Sequence, residues 1–129
     1  MPGSLVVIDT STILNGKLEE VQSAVHHLVA FVEANEPRPI AYGVHLSPNG
    51  TEMVVVQVHP DSASMEFHMK VAGPAFSKFA GLLQMTSLHV YGTPSEPLLD
   101  QLQRKAKMLG GPAVVVHPLH AGFARIASR

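Results

Sequence analysis

The side chain in this sequence best placed to do chemistry is a histidine on the apolar side of a helix. A helix is expected to begin at Asp61, whose carboxylate can accept from an unpaired first-turn N–H, and to run through Ala72. At about 100° per residue, Met65, Phe67, Val71 and Ala72 share one arc and His68 falls in its middle, while Glu66 and Lys70 turn to solvent. An imidazole held there can accept a proton near neutral pH or bind a phenolic oxygen. The plainer reading is a core histidine bonded to a polar neighbour, because buried polar groups normally have partners. Tyr42 is the second candidate catalytic residue: strand alternation groups it with Ile40, Val44 and Leu46 and sends His45 to the opposite face. Met65, Phe67, Phe76 and Phe79 are the expected substrate-binding walls.

The other histidines raise the question of a metal. His59, His89, His117 and His120 could supply imidazoles, and His117 and His120 are close in sequence. No carboxylate accompanies them and no HExxH helix is present, so they are expected at strand ends or a subunit interface, with no metal bound. His26 and His27 read as helix surface. The chain has no cysteine, which excludes disulfides and thiolate chemistry. The glycines are turn, strand and cap glycines, none in a phosphate-binding arrangement. No Ser-His-Asp grouping can be picked out by spacing.

Regular elements must hold these residues in place. Ser4 to Ile13 reads as a strand, and Asn15-Gly16 ends it. Leu18, Val21, Val25, Leu28, Val29 and Val32 then recur at helical spacing, giving a helix of about four to five turns that stops before Pro37. Pro39–Ser47 and Thr51–His59 form a hairpin across Pro48-Asn49-Gly50. The helix carrying His68 is expected to break at Gly73-Pro74 and resume briefly over Phe76–Leu83. Gln84–Tyr91 is a fourth strand. Thr93-Pro94-Ser95-Glu96 reads as a capping box with Thr93 as the cap, opening a helix that ends at Gly110-Gly111-Pro112. Ala113–His117 is a fifth strand, extended or crossed by Gly122–Ile126.

This order gives an α+β chain: a ferredoxin-like βαββαβ sandwich with an antiparallel sheet, helices on one face, and an appended helix and strand. The expected organisation is a single domain over residues 1–129, with residues 93–129 as a C-terminal extension. Hydrophobic residues make up 46% and charged residues 15% of the chain, apolar enough that the bare sheet face is expected to be covered by a second copy. The net charge is −1 and the nine Lys and Arg form no stripe, so nucleic acid is not an expected partner. Neither a signal peptide nor a membrane span is legible, and a cytoplasmic location is expected.

From about Leu5 to Tyr91 the chain resembles the antibiotic biosynthesis monooxygenase type of dimeric α+β barrel. The resemblance is carried by Tyr42-Gly43-Val44-His45 in the hairpin, His59-Pro60-Asp61-Ser62-Ala63 leading into the helix, Glu66-Phe67-His68 within it, Phe76 after it, and the closing strand through Val90-Tyr91. It implies a homodimer of ferredoxin-like subunits, each with a pocket between sheet and helices. Some members of that family oxygenate aromatic or quinol substrates without metal or flavin, others degrade haem, and many have no known reaction. Haem degradation relies on an Asn, a Trp and a ligand His; this chain has no Trp, His68 stands where the Trp would be, and Ala80 stands near the ligand position. What the resemblance leaves is cofactor-independent oxygenation of an apolar aromatic or quinol compound, with no cofactor expected. The alternative is a non-catalytic ligand-binding or assembly module on the same fold.

Overall fold

The computed structural model describes residues 3–125. Strand β1 (Leu5–Ile13) leads into helix α1 (Leu18–Asn35), hairpin strands β2 (Ala41–Leu46) and β3 (Glu52–His59), helix α2 (Ser62–Phe76) with a short 3₁₀ turn over Ser77–Phe79, strand β4 (Leu83–Tyr91), helix α3 (Glu96–Leu109) and strand β5 (Val114–His117). The strand order is β2-β3-β1-β4-β5. β1 is antiparallel to both β3 and β4, β2 is antiparallel to β3, and β5 joins β4 in parallel. The first four strands are the ferredoxin-like sandwich read from the sequence; the crossover through α3 adds the one parallel edge and makes the sheet mixed.

Alternation decides which side chains face the helices. On β1 these are Leu5, Val7, Asp9, Ser11 and Ile13, and on β3 they are Met53, Val55, Gln57 and His59, all buried. Both sets therefore mix apolar and polar groups in one core. On β4 both Met85 and Leu88 point inward although three residues apart; a bulge opposite Thr10 and Ser11 restores the parity. α3 closes against this strand at Gly110, where an added Cβ would lie 2.3 Å from the Met85 carbonyl oxygen. Only glycine permits that approach.

Three local readings change. Gly73-Pro74 does not break α2, which continues to Phe76. The helix has only two residues left after Pro74, so little ladder is lost, and burying Ala72 and Phe76 on the core side keeps the helical path. The cap of α3 is Ser95 rather than Thr93: its Oγ accepts from Leu98 N–H at 3.2 Å and donates to Glu66 Oε2 at 2.5 Å. Glu66 is thereby drawn toward α3 instead of solvent. Gly122–Arg125 form no strand, and Ile126 lies outside the described residues. Asp61 does cap α2, accepting from Ser64 N–H at 2.9 Å and pairing with Arg38. Among the described residues no helix is long and apolar enough to cross a membrane.

Candidate functional site

Six elements converge between sheet and helices on a group of buried and half-buried ionisable side chains. α2 brings His68, fully buried, with Met65, Met69, Ala72 and Phe76 on the same side. α1 ends at Glu36, whose N–H bonds to the Val32 carbonyl and whose side chain turns inward. The Glu36 carboxylate receives the His68 Nδ1–H, with both oxygens at 2.9 Å. That bond fixes the tautomer: with the proton on Nδ1, Nε2 carries the lone pair. Nε2 is buried and makes no hydrogen bond within the described residues. Burial pushes the His68 pKa down, against the opposing pull of Glu36, so the ring is held neutral. The result is a carboxylate-oriented imidazole whose free nitrogen is a base.

Tyr42, from β2, lies beside it with ring centroids 5.3 Å apart, and Phe76 packs against the ring at 5.7 Å. Burial, reinforced by the negative charges of Asp9 and Glu36, raises the Tyr42 pKa, so its hydroxyl stays protonated and can donate. Asp9 from β1 and Lys105 from α3 face one another, Oδ2 to Nζ 3.8 Å, and the Lys105 ammonium lies 4.2 Å from the centre of the Phe76 ring. Burial raises the Asp9 pKa, while Lys105 and His68 pull it back. Asp9, Ser11, Tyr42, Phe76, Phe79 and Lys105 all line a cavity of about 30 Å³. Ser11 Oγ is buried there with no hydrogen bond among the described residues.

A second histidine sits next to the first. His59 is fully buried at the end of β3, its ring 6.1 Å from that of His68. Ser64 O–H donates to Nδ1 at 2.7 Å and Nε2–H donates to Gln57 Oε1 at 3.0 Å, which uses both nitrogens of a neutral ring. Burial first, and then the neighbouring His68, lowers its pKa to about 4. His59 stands at a strand end, as expected, and there it is a fully buried core group.

The structure brings His68, Tyr42 and Phe76 together, and Tyr42, Phe76 and Phe79 line the cavity, whereas His68 packs behind Tyr42 and Phe76 and does not line it. Met65 is fully buried but does not line the cavity. Phe67 is 46% exposed and is no wall: the buried side of α2 centres on Met65, Met69, Ala72 and Phe76, and Phe67 falls on the far side of the helix at about 100° per residue. His45 is exposed, on the face away from Tyr42. His89 and His117 stack on the bare sheet face beside Tyr91, with His89 Nδ1 and His117 Nε2 2.8 Å apart. Among the described residues no three His or acidic groups are placed to hold a metal ion.

Glu36, Asp9, Ser11 and Lys105 were not legible as site residues. Two of them left a signal. Asp9 interrupts the inward-facing series Leu5, Val7, Ile13, and Lys105 sits in the apolar stripe Leu98, Leu102, Ala106, Leu109 of α3. A charge in either place is costly unless paired, which marks it for inspection. Glu36, next to Pro37 at a helix end, carries no such mark.

No protein-family model matches the sequence, and no curated protein matches it. Solved structures do match in shape. MupZ from Pseudomonas fluorescens superimposes with a TM-score of 0.73 at 18% identity, covering 98% of this chain and 99% of its own. SnoaB from Streptomyces nogalater, a cofactor-independent oxygenase, gives 0.60 at 14% identity, covering 72% of this chain and 95% of its own. A proposed antibiotic biosynthesis monooxygenase from Caulobacter crescentus gives 0.63 at 17% identity, covering 72% and 92%. This chain therefore has the fold of the antibiotic-biosynthesis-monooxygenase-like proteins. The 72% share is the size of the β1–β4 sandwich, whereas the match to MupZ takes in the α3–β5 extension that carries Lys105.

Proposed function

We propose that this protein is an enzyme in which His68, oriented by Glu36, removes a proton from an apolar aromatic or quinol-type compound, which then reacts directly with dioxygen. The observation that carries this reading is the Glu36–His68 pair: a carboxylate on Nδ1 and a buried, unpaired Nε2. A substrate CH₂ activated by neighbouring rings or a carbonyl needs chiefly a base and a dry site. Its carbon becomes a carbonyl with one atom of O₂, and the other oxygen leaves as water with the two hydrogens, so the substrate supplies the electrons. Tyr42 donates a hydrogen bond to the substrate, and Phe76 and Phe79 form the walls. The fold shared with SnoaB supports the oxygenase form of this chemistry. Oxygen uptake on a panel of quinols, phenols and activated methylene compounds tests it: uptake with native protein and its loss in His68→Gln is the expected outcome.

The small size of the cavity favours a second reading, a binding module without turnover. Ligand binding with no consumption of substrate or oxygen by the native protein would establish that reading instead.

The bare sheet face is the proposed homodimer contact. Val6, Ile8, Val54, Val56 and Val58 are only partly buried there, a continuous apolar surface of the kind that marks an interface. Light scattering at micromolar concentration is expected to give twice the 13.8 kDa chain mass. Val56→Lys, which places a charge in that surface, is expected to give the single-chain mass; a monomeric native protein would remove the proposal.

A further inference from the structure

Two hollows of this molecule share a wall. The inner one, the cavity of about 30 Å³, has room for about one water. The outer one is a groove of about 550 Å³ between α1 and the end of α2, floored by Phe31, Val71, Pro74 and Ala75. Leu28 and Phe79 line both, and no other lining residue is common to the two. Each is almost completely buried, so the pair separates the cavity from the groove.

The cavity is too small for an aromatic ring, since benzene occupies an engineered protein cavity of about 150 Å³. It is nevertheless furnished with polar groups whose hydrogen-bonding capacity is unspent. Ser11 Oγ has no hydrogen-bond partner among the described residues, and the Asp9 and Lys105 charges stand 3.8 Å apart, beyond hydrogen-bond length, although both residues are more than nine-tenths buried. An acceptor, a cationic donor and a hydroxyl on the wall of one otherwise apolar cavity are the contacts that a small oxygen-bearing group requires. The groove is lined chiefly by apolar side chains, with His27 and Lys78 as its polar members.

We infer that the ligand is an elongated, chiefly apolar molecule with an oxygen-bearing head, the head held by Asp9, Ser11 and Lys105 and the body passing between Leu28 and Phe79 into the α1–α2 groove. The inference rests on the site proposed above and adds the class of its substrate. A hydroxyl head donates to Asp9 and accepts from Lys105. The apolar body replaces water along Phe31 and Val71. α3 becomes through Lys105 a determinant of which head is accepted.

Calorimetric titration with ethanol, hexan-1-ol and hexane reads the two halves separately, without turnover and with a head small enough for the cavity. Affinity is expected to rise from ethanol to hexan-1-ol, by up to roughly fourfold per methylene, and hexane is expected to bind at least tenfold more weakly than hexan-1-ol. Phe31→Asp, at a position already 40% exposed and therefore safe for folding, should weaken hexan-1-ol at least tenfold and ethanol less than twofold. Lys105→Met should erase the preference for hexan-1-ol over hexane, and Lys105→Arg should keep part of it. Equal binding of hexan-1-ol and hexane, indifference of hexan-1-ol to Phe31→Asp, or no binding of either compound overturns the inference. Failure of the deprotonation reading would instead appear as absent oxygen uptake with these binding preferences intact.

Discussion

His68→Gln is expected to lower turnover by about a hundredfold to ten-thousandfold, the usual contribution of a positioned general base, while leaving ligand affinity within a few fold. Glutamine can still reach a polar neighbour but has no lone-pair nitrogen to accept a proton. Glu36 is a positioning residue, and its substitutions separate orientation from mere packing. Glu36→Gln keeps the shape and removes the charge that holds the proton on Nδ1, so kcat should fall about a hundredfold or more with KM little changed. Its pH profile should also move, because the carboxylate is one of the groups that raise the His68 pKa against burial. Without it, the apparent pKa of the base drops. Glu36→Asp, which keeps the charge on a shorter arm, should restore part of kcat. Equal kcat in native protein and Glu36→Gln, with unchanged circular dichroism, would leave the pair with a packing role only.

The second large effect is on stability against pH. His59 titrates near its usual 6.5 in the unfolded chain and at about 4 in the native one. On acidification the unfolded chain therefore takes up a proton first, so stability is lost as pH falls from 6.5 and the loss is complete below about 4. The gap is worth about 3 kcal/mol. His68, also lowered, acts in the same direction. Asp9 acts in the opposite one: its raised pKa means that the native state binds the acid proton first, a contribution that builds as the pH falls toward 3.8 and offsets part of the loss. The native curve is thus a sum, and a variant isolates one part of it. Urea unfolding of native protein and His59→Gln at pH 7 and pH 4 should show their difference in stability shrinking by about 3 kcal/mol toward the acid side. A difference independent of pH would mean that His59 is not held neutral in the core.

The sandwich was legible because its signals are local and agree. The alternation in Leu5–Ile13, the helical repeat from Leu18 to Val32 and the turn at Pro48-Asn49-Gly50 each specify an element without reference to any other. Gly73-Pro74 and Thr93-Pro94 misled because a proline is a breaker only where the tertiary surroundings do not hold the helix, and because Ser95 could bridge to Glu66, a contact across 29 residues. His68 and Tyr42 stood out by residue type on an apolar face. Their partners did not, since Glu36 lies 32 residues from His68 along the chain, and Lys105 reaches Asp9 only after α3 has crossed the helix layer. Pairing of buried charges is a property of the packed molecule. What the sequence offers is the anomaly of a single charge within an apolar stripe.

The most direct test of the account is the protonation state of His68, read by two-dimensional ¹H–¹⁵N correlation of the imidazole nitrogens in the native protein at pH 7. The expected result is a neutral ring with the proton on Nδ1 and a free, basic Nε2, retained when the pH is lowered through 6.5 and lost in tautomeric purity in Glu36→Gln. An imidazolium at pH 7, or a ring protonated on Nε2, would contradict it, because neither has the lone pair that the proposed proton abstraction requires.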